Sequence, residues 1–128
     1  MKEVAILFLV HKSPEQLSHL LKRLDDKRFD FYIHVDAKSD INRFLPIESE
    51  IKCSHVHWVR NRVKTYFNDF SLVEATYNVM NAAYTEGVYM YYVLLTGQDY
   101  PIKNNDYIYK KLYESYPTAY IDMYGVND

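Results

Sequence analysis

Three short polar clusters each break off an apolar run: His11-Lys12, Asp36-Ala37-Lys38 and Thr96-Gly97-Gln98-Asp99. If the runs before them are strands, all three fall at carboxyl ends, where ligands of open α/β sheets collect. An aspartate there is a double acceptor, suited to a ribose hydroxyl or a base N–H. Asp36 serves equally well as a cap for its own turn, and spacing does not separate the two readings. Arg60, Arg62 and Lys64 are spaced two apart, so an extended segment would aim them together. That makes Arg62 and Lys64 candidate anion contacts, with a solvated basic loop as the plainer alternative.

Metal chemistry has candidates without a complete donor set. His34 and Asp36, and likewise His55 and His57, share a strand face two residues apart, yet each pair lacks a third ligand at usable spacing. Thr96-Gly97-Gln98-Asp99 carries one carboxylate, where cation sites for nucleotide diphosphates commonly present two or more. The expectation is a site without metal or cofactor. Nucleophilic catalysis finds no constellation, because Ser71 stands in a capping position. The glycines are Gly87, Gly97 and Gly125, none of them after the first apolar run, which excludes a dinucleotide fingerprint and a P-loop. A phosphoacceptor receiver would need an acidic pair where this chain has His11 and Lys12.

The elements that must position these residues follow from pattern. Val4–Val10 is apolar without alternation, as in a strand covered on both faces. Ser13-Pro14-Glu15-Gln16 offers an N-cap serine, a proline at the first helical position and a glutamine placed for a capping box. Leu17, Leu20, Leu21 and Leu24 then mark one helical stripe. Phe29 to Asp36 predicts a second strand, and 41–52, interrupted by Pro46, a connection with at most a short helix. His55 to Val59 predicts a short strand. Ser71-Leu72-Val73-Glu74 repeats the capping-box pattern, opening a helix with Leu72, Ala75, Val79, Ala82 and Ala83 inward, ended by Gly87. Tyr89 to Leu95 predicts a central strand, 104–116 a helix with Ile108 and Leu112 inward, and 119–123 a last strand. The fold class is therefore α/β, a largely parallel sheet with helices on both faces. It stops without a closing helix, which predicts an uncovered edge, self-association through it, and a chain that is the first half of a longer protein.

Composition narrows the partners. With 128 residues this is one domain, and a net charge of −2 gives no basic footprint for nucleic acid. The 14 tyrosines are many, and half-buried sheet and helix packing accounts for most of them. A lone cysteine, Cys53, excludes an internal disulfide and fits a reducing compartment. The seven apolar residues Val4–Val10 are too few for a membrane span and lack a signal-peptide cleavage pattern. The expected location is cytoplasmic, at most peripheral to a membrane.

Four segments, in order and covering nearly the whole chain, carry a family resemblance: His11-Lys12 with Pro14-Glu15-Gln16-Leu17; Tyr32-Ile33-His34-Val35-Asp36-Ala37-Lys38-Ser39; Phe70-Ser71-Leu72-Val73-Glu74-Ala75-Thr76; and Leu95-Thr96-Gly97-Gln98-Asp99-Tyr100-Pro101-Ile102-Lys103-Asn104. The chain resembles the core-2/I-branching β-1,6-N-acetylglucosaminyltransferases, with their bacterial relatives and the peptide xylosyltransferases. The resemblance implies a GT-A fold of three α/β/α layers, a UDP-sugar donor, usually UDP-N-acetylglucosamine, and inverting, metal-independent transfer to a glycan or lipid-linked glycan hydroxyl. It places Asp36 on the uridine, helped by Val10 and His11. Thr96, Gly97 and Asp99 would form the facing wall, Asp99 ordering the donor sugar where other GT-A enzymes hold a metal. The chain departs from the family at Tyr66-Phe67-Asn68-Asp69, where members tend to carry a Trp-Gly-Gly-like turn. In the family the catalytic glutamate and the diphosphate-neutralising basic residues lie in the C-terminal half, without counterpart in this chain. Loss of a general base costs a factor of order 10²–10⁴, so the chain alone should be nearly inactive. The rival readings are a non-catalytic nucleotide- or partner-binding module, and an α/β interaction domain whose rim residues only cap turns.

Overall fold

The unbroken apolar run Val4–Val10 forms strand β1 and sits inside the sheet, hydrogen-bonded on both sides. The computed structural model describes residues 3–66, 70–87 and 89–96. In chain order the elements are β1, helix α1 (Pro14–Leu24), β2 (Phe29–Val35), two 3₁₀ turns (Ile41–Arg43 and Leu45–Glu50), β3 (Val56–Trp58), α2 (Phe70–Glu86) and β4 (Tyr91–Thr96). The strands lie in the order β3-β2-β1-β4 and every neighbouring pair is parallel. The helix predicted at 104–116 and the strand at 119–123 lie outside the described residues.

Side chains alternate between two cores, one on each face of the sheet. Val4, Ile6, Phe8 and Val10 of β1 join Phe29, Phe31, Ile33 and Val35 of β2, Tyr91, Val93 and Leu95 of β4, and the α1 leucines 17, 20, 21 and 24. Phe44 and Ile47 of the 3₁₀ turns close that core. On the other face Ala5, Leu7 and Tyr32 meet Val59 and the α2 residues Val79 and Ala83. The two helices thus cover opposite faces, as the pattern predicts. The chain steps from β1 outward to β3 and then returns to place β4 on the other side of β1. That reversal makes the gap between the carboxyl ends of β1 and β4 a topological switch point, the usual ligand crevice of such sheets.

Several local expectations are corrected. α1 begins at Pro14, but Ser13 adopts a left-handed backbone (φ 59°, ψ 66°) and its side chain makes no cap hydrogen bond. Side-chain capping needs extended N-cap dihedrals, so the capping box does not form. The Ser13 carbonyl instead accepts from the N–H groups of Gln16 (3.0 Å) and Leu17 (3.2 Å). α2 already includes Phe70, so Ser71 lies inside its first turn, where its Oγ accepts from the Tyr66 N–H at 2.9 Å. The buried row of α2 is Ala75, Val79 and Ala83, spaced i, i+4, i+8; Leu72 lies off that row and is 44% exposed. β4 starts at Tyr91 rather than Tyr89. Tyr89 serves in a half-buried polar chain, its hydroxyl 2.9 Å from Asp30 Oδ2 and 2.8 Å from the Tyr32 hydroxyl.

Candidate functional site

The carboxyl ends of β1 and β2 are level, with Val10 opposite Val35, while Thr96 ends β4 opposite Leu9. The chain leaves β1 through buried Val10 into exposed His11 and Lys12. It leaves β2 into Asp36, whose N–H continues the ladder to the Val10 carbonyl at 2.8 Å. The structure therefore brings Val10, His11 and Asp36 together on adjoining strand ends. Thr96 ends the strand on the other side of β1, and Gly97 and Asp99 lie outside the described residues.

Asp36 is 2% exposed, and its carboxylate works inside the protein. Oδ1 accepts from the Lys38 N–H at 2.8 Å, and Oδ2 accepts from the Thr65 N–H at 3.1 Å and from the Thr65 hydroxyl. Lys38 Nζ stands 3.7 Å from Oδ2 and lies over the Tyr66 ring, 4.1 Å from its centroid. Burial pushes the carboxyl pKa up, but the hydrogen bonds from Thr65 and Lys38, with the Lys38 charge, outweigh it and hold Asp36 below the usual carboxylate range. The acid is ionised at neutral pH and anchors two loops to each other.

Arg62 fastens the same loops from the other partner's side. Its Nε donates to the Val35 carbonyl at 2.9 Å, and one terminal nitrogen donates to the carbonyls of Asp36 (3.0 Å) and Ser39 (2.7 Å). The arginine predicted as an anion contact is thus engaged by backbone oxygen, while Lys64 in the same segment is exposed. His34, buried at 1% exposure, accepts from the Val63 N–H through Nε2 at 2.9 Å. Burial lowers its pKa, against the opposing pull of its own backbone hydrogen bond and of Asp36, so it is neutral with the hydrogen on Nδ1. Ala37 N–H donates to the Val63 carbonyl at 3.0 Å, and Ser39 Oγ donates to the His11 carbonyl at 2.5 Å. Segments 10–11, 34–39 and 62–66 are laced into one rim.

Sequence reasoning missed Thr65, Ser39 and the role of His34. Only His34 carried a signal, since it stands two residues before Asp36 and so shares its face of β2. A second concavity, about 420 Å3, opens between β3 and α2 and is lined by Tyr32, His57, Trp58, Arg60, Asn81 and Thr85 among others. Its His57 ring stacks on Tyr32, centroids 4.3 Å apart. Among the described residues no cluster of three or more His, Cys, Asp or Glu could hold a metal ion, and no helix is long and apolar enough to cross a membrane.

His11 and residues 34–39 of this rim lie in the segments that carry the resemblance noted above, whereas 62–66 does not. The beta-1,3-galactosyl-O-glycosyl-glycoprotein beta-1,6-N-acetylglucosaminyltransferases of Homo sapiens and Bos taurus are each 30% identical to the chain over 111 residues. The match covers 85% of this chain and 26% of each relative, so the chain spans about a quarter of the curated relatives it matches. The sequence profile of the Core-2/I-Branching enzymes matches residues 4–126, and the chain belongs to that family.

Proposed function

We propose that this chain, residues 1–128, forms the donor-nucleotide half of a GT-A glycosyltransferase site. The nucleoside of a UDP-sugar would lie over the ends of β1 and β2, with the diphosphate and sugar toward the end of β4 and Asp99. The observation that carries this reading is the coincidence of the family match with a parallel sheet whose switch point lies between β1 and β4. Asp36 contributes chiefly through the turn it shapes: three of its roughly four acceptor positions are already filled. Val10 and His11 supply the neighbouring wall. The names of the human and bovine relatives favour UDP-N-acetylglucosamine as donor and a glycan hydroxyl as acceptor.

In inverting transfer the acceptor oxygen attacks the anomeric carbon, the bond to the β-phosphate oxygen breaks, UDP departs, and the acceptor proton passes to a base. No residue of this chain is assigned as that base, so the 128-residue polypeptide alone should bind donor without turning it over. Transfer by the whole gene product is expected to proceed without metal, in the cytoplasm, on a surface or lipid-linked glycan. Isothermal titration with UDP tests the site: binding in a folded sample supports it, and no heat at millimolar UDP overturns it. Turnover of UDP-N-acetylglucosamine by the whole gene product in excess chelator tests the rest. Binding without turnover would favour a nucleotide-binding module, and turnover lost in chelator would refute metal independence. Self-association through the outer strands of the sheet is read by light scattering, where a monomer at high concentration removes it.

A further inference from the structure

Two rim residues are placed at a cost that packing alone does not explain. His34 is buried on the α2 face of β2, opposite Leu9, where a leucine would add apolar contact without desolvating an imidazole. What the histidine adds is an acceptor for the Val63 N–H, 2.9 Å away. Arg62 is half-buried and, among the described residues, its hydrogen bonds go to the carbonyls of Val35, Asp36 and Ser39 rather than to a carboxylate. A planar guanidinium can span carbonyls from both ends of one turn, which a lysine ammonium cannot do. Arg62 thus grips the turn at both ends, and His34 holds the segment that carries Arg62 through the neighbouring Val63 N–H, while Lys38 at the crest of the turn is exposed.

We propose that His34 and Arg62 are positioning residues that hold the 36–39 turn in the single conformation able to receive a nucleoside. The inference rests on the reading of this rim as a nucleotide-sugar site, and adds which residues outside direct contact set its affinity. A turn fixed before binding does not have to be ordered by the ligand, so affinity otherwise spent on ordering is retained. Neither residue touches the nucleoside in this arrangement; both act through the carbonyls and the Val63 N–H they hold.

Uridine is the probe, because its base and ribose meet the turn without a phosphate to confuse charge effects. Affinities of the full chain are measured by ligand-observed NMR for wild type, Arg62→Lys, His34→Leu and His34→Gln, each shown to be folded by circular dichroism at the working temperature. Loss of the Arg62 bonds to the turn in Arg62→Lys, or of the Val63 bond that fixes the Arg62 segment in His34→Leu, is expected to weaken uridine about tenfold. His34→Gln, whose amide oxygen can accept from Val63, should stay within about threefold of wild type. A merely structural role predicts lower melting temperatures with unchanged affinity, and that result overturns the inference. Should His34→Leu fail to fold, Arg62→Lys against His34→Gln decides the matter alone. Wild type that binds neither uridine nor UDP overturns both this inference and the reading of the site; wild type that binds, with Arg62→Lys equal to it, overturns the inference only.

Discussion

Replacing Asp36 by alanine should unfasten the rim, and the size of the effect can be worked from its partners. The carboxylate is 2% exposed and accepts from the Lys38 N–H, the Thr65 N–H and the Thr65 hydroxyl. Each hydrogen bond to a charged group contributes about 1.5–3 kcal/mol when made, but Asp36→Ala also opens space through which water can reach the orphaned donors. The Lys38 ion pair adds little, because the lysine side chain is 42% exposed and solvent screens it to well under about 1 kcal/mol. The expected loss is therefore about 3 kcal/mol, the low end of the range for breaking a buried charged network. Asp36→Asn keeps one acceptor oxygen but turns an amide N–H₂ toward a donor, so about 2 kcal/mol is expected there. Urea unfolding with an unchanged slope measures both variants, and hydrogen exchange should show the Thr65 amide released before the strands. A loss below about 1 kcal/mol in Asp36→Ala would refute the view that this acid anchors the rim.

Acid should destabilise the fold in two steps whose sign follows from the pKa directions. His34 is held below its ordinary value, so its contribution is complete above about pH 6.5 and is lost as pH falls below that toward its folded value. Asp36, also held low, contributes fully above about pH 3.9 and fades as pH falls through its folded pKa. Urea midpoints from about pH 8 to about pH 2 check both steps, and stability that rises on acidification would contradict them. Ser13→Gly should stabilise by about 1 kcal/mol, since glycine adopts the left-handed backbone without the Cβ penalty; a lower melting temperature would show that the serine side chain matters more than its strain. Tyr89→Phe removes the donor to Asp30 and the partner of Tyr32, for an expected cost of about 1–3 kcal/mol by chemical denaturation. Leu20→Ala should cost about 2–5 kcal/mol, because the side chain is fully buried between α1 and the sheet.

The sheet was legible because burial on both faces leaves an unmistakable mark: Val4–Val10 could be nothing but an inner strand, and the leucine stripe of α1 had one face to offer. Boundaries set by side-chain hydrogen bonding were less legible. Ser13 and Ser71 both sit in capping patterns, yet one takes a strained backbone and the other bonds to Tyr66, choices that depend on loops distant in sequence. The rim shows the same limit. Asp36 and Arg62 could be picked out by type and spacing, but 26 residues separate Arg62 from the carbonyl it shares with Asp36, and a backbone acceptor has no signature in a sequence. Thr65 was invisible for the same reason: its value comes from where the chain returns, not from its neighbours.

All seven residues of β2 are buried, which raises the question of how that strand knows its register. Hydrophobic alternation supplies no answer when both faces are covered. The strand alternates in another way: Phe29, Phe31, Ile33 and Val35 face the α1 leucines, while Asp30, Tyr32 and His34 face the α2 side, where His55 N–H, Tyr89 and Val63 N–H receive them. A slip of one residue would drive an aspartate and a histidine into pure hydrocarbon, at several kcal/mol for each polar group left without a partner. The polar ladder thus works as a key cut into a strand that would otherwise slide. It forbids every misalignment of odd step, and in doing so delivers Asp36 to the rim rather than one place short of it.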